Sequence, residues 1–146
     1  MSLHLVLYQP EIPQNTGTLL RLGACLGVTI HVIHPTGFVW SDRHLRRAQM
    51  DYKALCLHHS SWQDFVQAYP ELRTVGLCVC AQTLYTRLSY RPGDALVLGK
   101  ESQGLPADIQ KSLDACVRIP QADGTRSLNV AVAGAMVVGE ALRQIQ

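Results

Sequence analysis

Three short segments hold the residue types that could do chemistry. In the first, Leu96-Val97-Leu98 breaks at Gly99 into the polar run Lys100-Glu101-Ser102-Gln103, which closes at Gly104 and Pro106. In an open α/β sheet, ligands sit beyond the carboxyl ends of strands, where glycines let backbone approach them. This loop therefore reads as one wall of a small-molecule pocket. The second segment, Asn15-Thr16-Gly17-Thr18-Leu19-Leu20-Arg21, places an amide, a glycine and a fixed cation at a loop-to-helix junction. The third runs from Ile119-Pro120-Gln121 to Arg126-Ser127-Leu128-Asn129, at the entrance of the last helix. Taken singly each has a plain alternative; Arg21, for example, also reads as a surface cation on a helix.

Other chemistries find no support. Five residues separate Gly93 from Gly99 where a Walker phosphate loop has four, and Glu101 follows Lys100, so no such loop exists. The spacing G-x-G-x-x-G is absent, as is the G-x-S-x-G elbow of a hydrolase. His31 and His34 straddle a strand end, and the adjacent His58 and His59 point to opposite faces if extended. None has a carboxylate or thiol at metal-ligand spacing, so no metal is expected.

The elements that must position these segments alternate. Leu3 to Tyr8 reads as a strand. A helix capped by Asn15 or Thr16 then carries Leu19, Leu20, Leu22 and Leu26 and stops at Gly27. Val28 to Ile33 is β-branched and apolar, so a buried strand is expected. Ser41 can cap a short basic helix through about Met50, and Ala54 to Leu57 forms a brief strand. Ser61-Trp62-Gln63-Asp64 starts a helix ending before Pro70. Val75 to Cys80, Ala95 to Leu98 and Cys116 to Ile119 complete the strands, with a short helix from Pro106 to Ser112. The last helix, Leu128 to Gln144, is small-sided through Ala131, Ala133, Gly134, Ala135 and Gly139. Continuous apolar strands between helices predict an α/β fold, a mostly parallel sheet covered on both faces. With 146 residues and no linker or repeat, residues 1–146 are expected to form a single domain.

Hydrophobic residues make up 47% and charged ones 16% of the chain. So low a charge fraction hints at apolar surface hidden in an oligomer. No run approaches the roughly 18 apolar residues of a membrane span, and no basic leader opens the chain. The five cysteines, Cys25, Cys56, Cys78, Cys80 and Cys116, mostly sit in apolar runs without a C-x-x-C pair. They read as reduced, buried thiols of a cytoplasmic protein. Net charge is only +2, yet Arg43, His44, Arg46, Arg47 and Lys53 crowd one stretch. That stretch is either a solvated helix face or a phosphate grip. Trp40 and Tyr52 beside it either pack in the core or stack on an unpaired base.

In this order and spacing the three segments resemble the SPOUT methyltransferases, closest to the small members that methylate the ribose 2′-hydroxyl of the tRNA wobble nucleotide. The resemblance covers nearly the whole chain. It includes Leu5-Val6-Leu7-Tyr8-Gln9-Pro10-Glu11-Ile12-Pro13-Gln14-Asn15-Thr16-Gly17, Pro35-Thr36-Gly37-Phe38-Val39-Trp40 and Leu45-Arg46-Arg47-Ala48. It implies a C-terminal trefoil knot, an S-adenosylmethionine pocket, a tRNA substrate and a homodimer in which both subunits build each active site. By position, Cys80, Ala81, Gly99, Glu101, Gly104, Ile119, Gln121, Ser127, Leu128 and Asn129 would hold the cofactor. Arg21 and Asn15 would lie near the methyl acceptor, and Arg43, Arg46 and Arg47 would grip RNA. The chain departs from the family pattern at Cys80-Ala81-Gln82-Thr83, where Ser/Thr-Thr-Lys is common. It departs again at Gly139, where tyrosine is frequent, and at Gln49, where glycine is usual. Another tRNA or ribosomal RNA target, or a non-catalytic RNA-binding dimer, are the alternatives.

Overall fold

The computed structural model describes residues 2–43, 45 and 56–146. Six strands lie among them: β1 (His4–Tyr8), β2 (Thr29–Ile33), β3 (Cys56–His59), β4 (Arg73–Leu77), β5 (Asp94–Leu98) and β6 (Ala115–Val117). They form one sheet in the order β3-β2-β1-β5-β4-β6. Every pairing is parallel. The helices are α1 (Pro13–Leu26), α2 (Trp62–Ala68), α3 (Ala107–Ser112) and α4 (Val130–Ile145).

Both faces of the central strands are apolar because both are covered. Leu5, Leu7, Leu96 and Leu98 pack against Leu19 and Leu20 of α1 and Val137, Val138 and Ala141 of α4. Their strand neighbours Val6, Ala95 and Val97 pack the other way, against Trp62, Phe65 and Ile109 of α2 and α3. This period of two within an unbroken apolar run is the pattern of a doubly covered parallel sheet.

The second face holds a row of histidines. His4 Nδ1 lies 2.9 Å from His31 Nε2, and His31 Nδ1 lies 2.9 Å from His59 Nε2. Phe65 and Tyr69 cover the row, with ring centroids 5.1 and 4.8 Å from that of His31. Adjacent His58 turns the opposite way, to His34 Nε2 at 2.8 Å.

Element ends differ from expectation in informative places. α1 begins at Pro13, so Asn15 and Thr16 lie inside the helix and do not cap it. Proline suits the first helical position, where no amide hydrogen is needed. β4 ends at Leu77, not Cys80, because the chain turns there, with the Ala81 N–H donating to Cys78 O. The cysteines are less buried than their apolar runs suggest: Cys25 and Cys80 are exposed, and only Cys78 is buried. The basic helix is described only at its start, and Arg46, Arg47, Tyr52 and Lys53 lie outside the described residues. No described helix is long and apolar enough to cross a membrane.

Candidate active site

The loops following β4, β5 and β6 converge at the carboxyl end of the sheet. Around them lies an open cavity of about 630 Å³. Its walls come from Leu77 to Val79, from Leu98 to Gly104, from Arg118, Ile119 and Gln121, and from Ser127 to Val130. Ile12, Asn15 and Ala133 complete it.

The loop after β5 is pinched shut by its own backbone. The Lys100 and Gly104 N–H groups each donate to the other's carbonyl, at 3.2 and 2.8 Å. A Cβ on Gly99 would run into the backbone of Gly104 and Leu105, so only glycine allows this closure.

Glu101 then ties that loop to α1. Its Oε1 accepts from the Glu11 N–H at 2.9 Å, and its Oε2 accepts from the Ile12 N–H at 2.8 Å and from Asn15 Nδ2 at 3.3 Å. α1 has no side-chain cap of its own and no acid in its first turn. A carboxylate from the loop after β5 thus takes the place of a local cap, at the positive end of the helix. Glu11 reciprocates, its Oε1 accepting from the Ser102 N–H at 3.0 Å and hydroxyl at 2.7 Å. The Ser102 backbone donor, then its hydroxyl, hold the Glu11 carboxyl below its ordinary pKa.

Asn129 joins the C-terminal helix to the same network. Its Nδ2 donates to Asn15 Oδ1 at 3.0 Å, while its own Oδ1 caps α4 by accepting from the Ala131 and Val132 N–H groups. Gln121 braces the last loop, accepting from the Leu128 N–H and donating to Arg126 O, both at 3.2 Å.

Of the residues singled out from the sequence, Asn15, Gly99, Glu101, Gly104, Ile119, Gln121, Ser127, Leu128 and Asn129 meet at this cavity. Cys80 and Ala81 are not among its walls. Leu77, Cys78 and Val79 stand there instead, and Cys80 Sγ is engaged with Gln110 Oε1 at 3.3 Å. Burial, then the hydrogen bond to Cys116, pushes the Cys78 thiol up to about 12, so it is a neutral wall group. Arg21 is exposed and does not line the cavity. Six residues beyond Asn15, it lies about 9 Å along α1 and roughly 120° around it. Arg43 is exposed, in the helical turn that follows the β2 loop. Sequence reading missed Glu11 and Arg118. In the sequence Glu11 stands only as an acid two residues ahead of Pro13, with nothing local to mark it.

A parallel sheet with a pocket built by three loops at its carboxyl end, bridged to the first helix by Glu101, defines an α/β ligand-binding enzyme fold. The chain belongs to the SpoU rRNA Methylase family, whose family model matches residues 2–139. This is a SPOUT fold, with the trefoil knot in its C-terminal part. The tRNA (cytidine(34)-2′-O)-methyltransferase of Beijerinckia indica is 52% identical over 145 residues, covering 97% of this chain and 91% of the relative. A solved structure concerned with 2-OH methylation of C/U34 on tRNA superposes with a TM-score of 0.91 at 40% identity, covering 98% and 95% of the two chains. The AdoMet-bound rRNA methyltransferase of Sinorhizobium meliloti superposes at 0.89 with 25% identity, over 99% of this chain and 57% of that one.

Proposed function

We propose that this protein transfers the methyl group of S-adenosylmethionine to the ribose 2′-hydroxyl of the wobble cytidine or uridine of tRNA, nucleotide 34. The near-full-length likeness to the Beijerinckia indica enzyme carries this reading. The cavity supports it, since about 630 Å³ falls within the range of small-molecule sites. Leu77, Leu98, Ile119, Leu128 and Ala133 offer apolar walls suited to an adenine ring. Ser102, Gln121 and Ser127 supply hydroxyl and amide partners for a ribose, and Lys100 and Arg118 supply cations for a carboxylate.

When bound, S-adenosylmethionine supplies a methyl group already activated by its sulfonium. The chain's own task is then to position the acceptor and handle one proton. Glu101, Asn15 and Asn129 hold the first helix, the cofactor loop and the last helix in one register, so that none can drift from the others. Arg21 donates hydrogen bonds and accepts none. We assign it to the phosphate beside the target ribose and to the negative charge developing on the 2′-oxygen, with that phosphate or water taking the proton.

Arg21 performs this role in the cavity of a second subunit. Among the described residues, the exposed large hydrophobics Leu26, Val132 and Met136 lie on the packed pair α1 and α4, outside the cavity walls. That apolar face shares α1 with Arg21, so burying it in a homodimer carries Arg21 toward the partner. In this reading residues 1–146 form a single cytoplasmic domain that works as a dimer. Val132→Asp should halve the mass measured by light scattering and abolish turnover.

The direct test incubates the protein with S-adenosylmethionine and unmodified tRNA transcripts, followed by digestion and mass spectrometry. The expected products are 2′-O-methylcytidine and 2′-O-methyluridine mapping to nucleotide 34. Transfer to ribosomal RNA alone, or cofactor binding without transfer to any RNA, overturns the proposal.

A further inference from the structure

The segment between β2 and the start of the basic helix carries an exposed aromatic ledge that the catalytic cavity does not use. Phe38 and Trp40 are partly exposed, their rings 6.1 Å apart and inclined by 23°, and Val39 between them is 91% exposed. Trp40 is braced from behind: its ring meets His58 edge to face at 4.6 Å, and its Nε1–H donates to Asp42 Oδ1 at 2.8 Å.

This ledge is held rigidly at the rim of the active site. Thr36 Oγ1 donates to Phe38 O at 2.6 Å, and the Gly37 N–H donates to Pro10 O at 2.9 Å. A Cβ on Gly37 would stand 3.0 Å from Glu11 Cα, so the loop packs closely on the β1–α1 loop and a larger residue would push the two apart by a few tenths of an ångström. Glu11 in turn holds Ser102 of the cofactor loop. One short chain of contacts therefore fixes the distance between the aromatic rings and the cavity. Arg43, three residues past Trp40 in the chain, is exposed.

A partly exposed aromatic pair on a hydrogen-bonded loop, with an exposed arginine close in sequence and tied to a site proposed to act on RNA, is the composition that holds an unstacked base. A packing role accounts for Trp40, which touches the core. It does not account for Phe38 and Val39. We propose that Phe38, backed by Trp40, is a stacking platform for an unpaired base flanking nucleotide 34 in the anticodon loop. This inference rests on the proposed tRNA substrate and adds the means by which the loop is splayed and registered over the cavity.

The experiment places 2-aminopurine at nucleotide 33, 35 or 36 of a tRNA substrate and follows its fluorescence with the wild type, Phe38→Leu and Phe38→Tyr. Stacking on the ledge quenches the probe at one of these positions in the wild type and in Phe38→Tyr, and not in Phe38→Leu. Phe38→Leu should raise the KM for tRNA by about 5- to 100-fold, the range expected for one base stack. Its kcat at saturating tRNA and its S-adenosylmethionine affinity should stay within about twofold of wild type. An unchanged KM and quench in Phe38→Leu, with a wild type that methylates nucleotide 34, overturns the platform alone. A Phe38→Leu protein of half the wild-type mass also overturns it, by making the ledge a subunit contact. A wild type that methylates no tRNA overturns the functional reading and the platform together.

Discussion

The two faces of the sheet are covered by helices with opposite duties. α1 and α4 lie on an aliphatic face, and their outer sides remain apolar or carry Arg21. They also carry or adjoin Asn15 and Asn129, so this face is tied directly to the cavity. α2 covers aromatic rings and the His4–His31–His59 row, and none of these residues reaches the cavity. In the proposed function, the first face serves the reaction and the second serves the scaffold. Substitutions should separate the two.

The sharpest separation comes from Arg21→Ala. Removing one preorganised donor at developing charge typically costs about 10²- to 10³-fold in turnover. The exposed position predicts unchanged thermal unfolding and unchanged cofactor affinity by calorimetry. An equal loss of affinity and turnover would remove Arg21 from the reacting end.

Glu101→Ala tests whether the cavity face can keep its shape without its cross-chain cap. Three donors lose a charged acceptor, a change of about 2–3 kcal/mol. Cofactor affinity should drop by at least about tenfold while the far-ultraviolet spectrum stays native. Recovery of full affinity in Glu101→Gln would show that charge matters less than hydrogen bonding there.

The scaffold face should answer to pH instead. Burial, then the neighbouring His4 and His59, pushes His31 down to about 3. Burial also lowers His4 and His59 in the same row. A folded-state pKa below the unfolded value of 6.5 means that the unfolded chain binds more protons under acid. Stability is then full above pH 6.5 and falls as pH drops toward 3. For His31 alone the loss by pH 5 is about 2 kcal/mol. Urea titrations across pH 7 to 5 should show it, and His31→Leu should flatten the slope. A wild-type slope of zero would mean the row is not buried in solution.

The smallest expected effect is Arg43→Ala. Losing one phosphate contact should weaken tRNA binding a few-fold and shallow its salt dependence by about one charge. No change in slope would take Arg43 off the RNA face.

Much of this division was legible in the sequence. Alternating apolar strands announced a doubly covered sheet, and Gly99 to Pro106 announced a pocket wall, because both depend on local pattern. Adjacent His58 and His59 did point to opposite faces. What stayed hidden depended on contacts between distant segments. Glu101 looked like a cofactor contact, and only the folded chain shows it capping a helix 90 residues away. The start of α1 reads three or four residues late in the sequence, at Asn15 or Thr16 instead of Ile12, because its cap is not in its own neighbourhood. The wall at Leu77 to Val79 was placed three residues late, since the apolar run continues past the point where the strand turns.

The bonds that close the cavity also impose an order on the chain. Glu101 to Ile12 spans 89 residues, and Asn129 to Asn15 spans 114. Both join the beginning of the chain to its second half. A nascent chain still lacking its last helix therefore has strands and helices to form, but no finished pocket. Contacts this distant are slow to establish, because the intervening chain must be ordered first. In the proposed function, cofactor binding therefore reports that segments 89 and 114 residues apart have come together.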